Sequence, residues 1–178
     1  ILWSCLLGKG GEVERPPFFY VLSYFQTMST RSRIGILNQD GSVESVYHHS
    51  DGQPSWLGIV LTRYFSNTLL VRDLMTGGDI SCIRSNTDWE GNELEKPIVK
   101  TYKMRGEDCP SRTHEDSKDF LMYDTIQTEY SYLWNPNLEQ WTCWKGNWNT
   151  EWGIPEPPTI ELIPEKHPKE IRTNQVLV

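Results

Sequence analysis

From residue 34 to residue 46, apolar side chains recur at Ile34, Ile36, Val43 and Val46, on either side of Asp40-Gly41. Partial alternation of this kind marks strands with one buried face. Asp-Gly supplies the positive φ that a two-residue hairpin turn needs, so RIGILNQDGSVESVYHH is expected to form a β-hairpin. SDGQP then breaks the second strand, and Pro54 suits the first turn of a helix. Beyond it, Trp56, Leu57, Val60, Leu61, Tyr64 and Phe65 fall on one face of an α-helix. Ser66 or Asn67 can cap a second helix carrying Leu69, Leu70, Leu74 and Met75, which Gly77-Gly78 would end. Residues 85–97 and 105–117 read as polar loops, IVKTYKM between them as a strand, and SKDFLMYDTI as a short helix. In EYSYLWNPNLEQWTCW, alternating aromatics flank the turn sequence Asn135-Pro136-Asn137, which predicts a second hairpin.

The order ββαα-β-α-ββ predicts an α+β fold: an antiparallel sheet built from two β-hairpins plus one strand, with helices packed on one face. Residues 28–150 are expected to form a single domain. Residues 151–178 read as a Pro-rich extended tail without core contacts of its own. Residues 1–27 have no clean period, whereas Met28-Ser-Thr-Arg-Ser reads like a natural start; the upstream stretch is expected to be an extension outside the native protein, the alternative being a real strand in FFYVLSYF.

Composition narrows the class. The 178 residues are 37% hydrophobic with a mean hydropathy of -0.55, which suits a soluble globular protein, and no apolar run is long enough to span a bilayer. A net charge of -7 argues against a wholesale grip on nucleic acid, because phosphate neutralisation needs clustered Lys and Arg. Arg31 with Arg33, and Lys100 and Lys103 with Arg105, leave room for a local basic pocket, against the plainer reading of solvated strand ends. Cys5, Cys82, Cys109 and Cys143 are far apart and form neither a zinc signature nor a disulfide framework, so free thiols are expected.

The chemistry-bearing stretch is YHHSDGQP. His48 and His49 are adjacent on a strand and point to opposite faces, which argues against a two-histidine metal centre. Alternation places Tyr47, His49 and Asp51 together, near Arg33 or Arg105. Asp51 also has a plain reading, as an aspartate bonding its own backbone at a turn. Trp134, Trp141, Trp144, Trp148 and Trp152 could stack bases or sugars, but alternating aromatics on a hairpin are more often cross-strand core pairs. The sequence contains no G-x-S-x-G, Walker A or G-x-G-x-x-G motif.

The run Ser29-Thr30-Arg31-Ser32-Arg33-Ile34-Gly35-Ile36, then Asp40-Gly41 and Tyr47-x-His49-x-Asp51-Gly52-x-Pro54, resembles a group of small uncharacterised proteins of tailed phages, including cyanophages. The resemblance continues through Gly78-Asp79-Ile80-Ser81, Tyr102, Arg105-Gly106-Glu107 and Glu129-Tyr130-x-Tyr132 with Trp141, covering about residues 28 to 145. Ser50, Gln53 and Lys103-Met104 depart from it, standing where Trp, Tyr and Arg-Asp are usual. It singles out Arg31, Arg33, His49, Asp51, Arg105 and Glu107 as ligand-binding candidates, with no metal and no cofactor. Arginines with a histidine suit an anionic, nucleotide-like molecule; a salt-bridge and turn network tying the hairpin to the third strand is the weightier alternative. The resemblance implies a small phage accessory protein that binds a host protein or an anionic small molecule in the host cytoplasm. The alternatives are an enzyme using a His/Asp/Arg cleft on a phosphorylated or nucleotide substrate, and a minor virion protein whose tail reaches a neighbouring subunit or a second copy.

Overall fold

The computed structural model describes residues 29–84, 95–123, 127–149 and 154–165, with the backbone alone for 148 and 149. Strands β1 (Ser32–Leu37) and β2 (Val43–His48) form the expected hairpin in antiparallel register, Ile34 opposite Val46 and Leu37 opposite Val43. Its turn differs in detail. The Gly41 N–H donates to the Asn38 carbonyl at 3.1 Å, so Gln39 and Asp40, not Asp40 and Gly41, are the central residues. Gly41 follows them in the left-handed region at φ 88, giving a three-residue loop closed by Asn38 and Ser42. The Asp40 carboxylate fastens that loop by accepting from the Ser42 N–H at 3.0 Å and the Ser42 hydroxyl at 2.7 Å.

The predicted helix over Trp56 to Phe65 is present as a π-helical turn (Pro54–Gly58) running into α1 (Ile59–Tyr64). Helix α2 (Thr68–Met75) is capped by Asn67, whose side chain accepts from the Leu70 N–H at 3.0 Å. Four further strands follow: β3 (Ile80–Ile83), β4 (Val99–Thr101), β5 (Arg112–His114) and, after α3 (Ser117–Met122), β6 (Tyr130–Asn135). A single 3-10 turn, Lys103–Arg105, follows β4. The sheet is completed by β7 (Gln140–Asn149) and β8 (Ile154–Glu161).

All eight strands belong to one sheet in the order β4-β3-β2-β1-β6-β7-β8, with β5 also pairing β2. The α+β class stands, but the sheet is mixed: β1 pairs β6, and β2 pairs β3, in parallel. The second parallel pair follows from the connection, because α1 and α2 carry the chain back before β3 begins, and a strand returning after a helical crossover enters in the same direction. Three strands were not expected. Of these, β5 lies inside a stretch read as loop. The Pro-rich segment is not a free tail: β8 pairs with β7 from Cys143–Glu161 to Asn149–Ile154, and Ile163 beyond it packs on the core. Prolines fit there because β8 is the last strand in the sheet order, with a ladder on one side only, and because Pro157 and Pro158 fall where the pairing with β7 shifts register between Lys145 and Asn147. Most of the polar stretch 85–97, and residues 1–28 and 166–178, lie outside the described residues.

Nor do the helices share one face. Ile34, Ile36, Val46, Tyr132 and Trp134 point to the side closed by the π-helical turn, α1 and α2, with Leu57, Leu61, Val71 and Ile80 in the same core. The opposite side carries a smaller apolar cluster of Val43, Leu133 and Phe120, closed by α3. Gly35 makes that possible. A Cβ there would sit 2.9 Å from both the Phe120 ring and Val43, so only glycine lets α3 approach the centre of β1.

Candidate functional site

YHHSDGQP resolves into a strand end and a turn. His48 faces the α1/α2 core, where it is fully buried and its Nδ1 lies 3.1 Å from the Ser32 hydroxyl. Burial, with His49 beside it, pulls its pKa down to about 3, so the ring is neutral. His49 points the other way, as alternation predicts, but its Nδ1 meets the Tyr47 hydroxyl at 2.9 Å. Asp51 is exposed at φ 60, turning the chain. Gly52 then passes so close to β1 that a Cβ would lie 2.7 Å from the Ser32 hydroxyl oxygen. The Gly52 N–H donates to the Thr30 carbonyl at 2.8 Å, and the Tyr132 hydroxyl donates to the Gly52 carbonyl at 2.8 Å.

The six expected residues do not converge. Among the described residues, neither His49 nor Asp51 bonds an arginine. The Arg31 carbonyl accepts from the Glu129 N–H at 2.9 Å, at the start of β6. Arg105 donates to the Ser81 hydroxyl at 2.6 Å, and Glu107 is exposed with its N–H on the Tyr102 carbonyl. Arg33 belongs to a different assembly. It is buried under α3 and donates to the Ser45 hydroxyl at 3.3 Å; Ser45 lies 2.8 Å from His114 Nε2, and His114 Nδ1 lies 3.4 Å from the Asp119 carboxylate.

The donors fix the direction of this relay. The guanidinium can only donate and the carboxylate only accept, so in a neutral ring Nδ1–H points at Asp119 and Nε2 accepts from Ser45. Burial, opposed by Asp119, lowers the His114 pKa and favours that neutral form. The ring is held between Phe120 and Tyr123, centroids 5.5 and 5.1 Å away. The Arg33 and Arg112 guanidinium carbons each lie 4.6 Å from the centre of the Tyr123 ring. Asp79 stands nearby and accepts from the Tyr47 N–H at 2.7 Å; burial raises its pKa, and that hydrogen bond, Arg33 and Arg112 oppose the rise.

A Ser–His–Asp chain of this kind can activate a hydroxyl when substrate reaches it. Here Ser45 is 0% exposed and His114 1%, so the relay binds hairpin, β5 and α3 together. Ser45, His114, Asp119 and Asp79 were not among the expected site residues. Ser45 and His114 are 69 residues apart, and no short-range spacing could have joined them.

The open spaces lie elsewhere. A polar hollow of about 340 Å³ is lined by Glu44, Arg72, Thr76, Lys103, Asp108 and Ser111. A second, of about 470 Å³, has Phe65, Leu74, Pro97, Val99 and Met104 in its wall, and Lys103 lines both. Two of the hairpin aromatics form a cross-strand core pair, as the alternation favours. Trp134 packs tilted against Trp141, centroids 5.4 Å apart, their N–H groups tied to Thr68 and the Phe65 carbonyl, while Trp148 and Trp152 lie outside the described side chains. Among the described residues no group of three His, Cys, Asp or Glu side chains could hold a metal ion, and no helix is long and apolar enough to cross a membrane. Set against family models, curated proteins and solved structures, the chain matches none of them.

Proposed function

We propose that this protein is a small phage accessory protein of the host cytoplasm that acts by binding an anionic small molecule. The observation that carries the reading is the contrast in access. The groups with catalytic potential are sealed, with Ser45 at 0% and His114 at 1% exposure, whereas the hollows beside Lys103 are open. A binding site needs a concave surface with a few placed polar groups, and a hydrolase needs a reachable nucleophile. The phage assignment rests on the resemblance of residues 28–145. An enzyme reading is supported by one observation, the Ser45–His114–Asp119 alignment, and it requires α3 to lift away.

The test is calorimetric titration of the full chain with nucleoside monophosphates, sugar phosphates, dicarboxylates and inorganic phosphate, each mixture then analysed for products. Saturable binding without turnover is expected. Turnover that disappears in Ser45→Ala would overturn the reading in favour of the enzyme.

A further inference from the structure

We infer that the two hollows flanking Lys103 form one bipartite site for a nucleoside monophosphate, with phosphate in the polar hollow and base in the apolar one. The inference rests on the binding reading above and names its ligand class. The polar hollow lies between the C-terminal end of α2 and residues 108–111, and the apolar hollow between α2 and β4. They meet at Thr76, Gly77 and Lys103.

Among the described residues, two of the four charged groups lining the polar hollow are in use and two are not, Lys103 and the exposed Asp108, whose carboxylate opposes an anion there. Glu44 is engaged by Arg72 at 3.6 Å and by the Ser111 hydroxyl at 2.7 Å, and Arg72 also donates to Asn38 at 3.1 Å. The exposed Lys103 ammonium has no such partner among the described residues, although it stands where the hollows join. A compact ammonium suits a phosphate group, and the Arg72 guanidinium keeps N–H groups beyond those on Glu44 and Asn38, whereas the Thr76 and Ser111 hydroxyls already donate to the Arg72 carbonyl and to Glu44. In the second hollow, Pro97, Val99 and Met104 offer apolar contact for a flat ring, and the Asp73 carboxylate offers an acceptor for its N–H groups.

Size and charge favour a free nucleotide. The volumes of about 340 and 470 Å³ both fall in the range of small-molecule sites, roughly 300–1,000 Å³. Inorganic phosphate would leave the apolar hollow empty. A nucleic-acid strand would meet the repulsion of a chain with net charge -7, which a single phosphate largely escapes.

The experiment titrates the full chain with AMP, GMP, CMP and UMP, and with ribose 5-phosphate, the four nucleosides, inorganic phosphate and a dicarboxylate. At least one nucleotide should bind about tenfold or more tightly than both its nucleoside and ribose 5-phosphate. Lys103→Glu should weaken that nucleotide about tenfold or more, while Lys100→Glu, at an exposed position of β4 whose side chain lines neither hollow, should not. Met104→Glu, at a 73% exposed position where folding is not at stake, should erase the preference over ribose 5-phosphate. Unchanged affinity in Lys103→Glu overturns the inference, as does ribose 5-phosphate binding as tightly as the nucleotide. So does failure of every nucleotide to bind. In that case saturable binding of inorganic phosphate or a dicarboxylate leaves the general binding reading standing, and its absence ends both.

Discussion

The two faces of the sheet are closed by different means. On the α1/α2 side, Ile34, Val46, Leu57, Leu61, Val71 and Trp134 meet in a continuous apolar core, with His48 a neutral member at its edge. On the α3 side the buried apolar set shrinks to Val43, Leu133 and Phe120, and the relay Arg33–Ser45–His114–Asp119 fills the space beside it. The first face is held by surface removed from water, which is non-directional and tolerates small shifts. The second depends on hydrogen bonds whose loss leaves a buried donor or acceptor behind. The apolar face should therefore set the total stability, and the polar face should fix where α3 sits.

The comparison breaks first on the core. Trp134 is 1% exposed, its ring against Trp141 and its N–H on Thr68 at 3.1 Å. Trp134→Ala should cost about 3–5 kcal/mol by urea unfolding, the range for deleting a buried aromatic. A loss no larger than that of a relay variant would mean that the apolar face does not dominate.

The core also carries a pH signature. His48 is neutral when folded, its pKa lowered to about 3, against about 6.5 when unfolded. The unfolded chain binds the proton first, so this contribution is intact above pH 6.5 and is lost as pH falls toward 3. The slope approaches about 1.4 kcal/mol per pH unit inside that window, so a drop from 6.5 to 4.5 should cost about 2 kcal/mol. His48→Leu should remove that share of the slope. Parallel pH curves for the variant and the natural protein would mean that His48 is accessible to protons in the fold.

How much of this could be read in advance depended on whether a segment carries its own pattern. The two hairpins and the run Trp56 to Phe65 alternate or repeat on their own, and they stand where the pattern puts them. Strands β3 and β5 are ISCI and RTH, too short for any period, and they are strands because neighbours offer edges, β4 and the end of β2 to β3, and β2 to β5. The prolines of β8 suggested exclusion from the sheet, yet at its edge they are compatible with it. Alternation separated His48 from His49, but it could not say that His49 would find Tyr47 and not an arginine. The relay was out of reach because each bond joins distant segments.

The polar face yields a smaller effect. Ser45→Ala removes the hydroxyl between Arg33 and His114 Nε2, leaving a guanidinium N–H and a ring nitrogen buried. The expected cost is about 1–3 kcal/mol, with amide protection in α3 falling more than in α1. A uniform fall across both helices would mean that the relay supports the whole fold and not α3 in particular.

The smallest effect is the most discriminating, because it separates charge from hydrogen bonding within the relay. Asp119 is half exposed, so its pair with His114 at 3.4 Å is weak, and Asp119→Asn keeps an acceptor for Nδ1–H. At pH 7.5 the substitution should change stability by less than about 1 kcal/mol. Titration of His114, followed by NMR, should still move. Burial, Arg33 and Arg112 all push its pKa down while Asp119 alone pushes it up. Without the carboxylate the pKa should fall further below 6.5. As pH drops below 6.5, a histidine harder to protonate in the fold makes the variant lose more stability than the natural protein. An unchanged or raised pKa in Asp119→Asn would show that Asp119 does not face the ring in solution, and that the relay ends at His114.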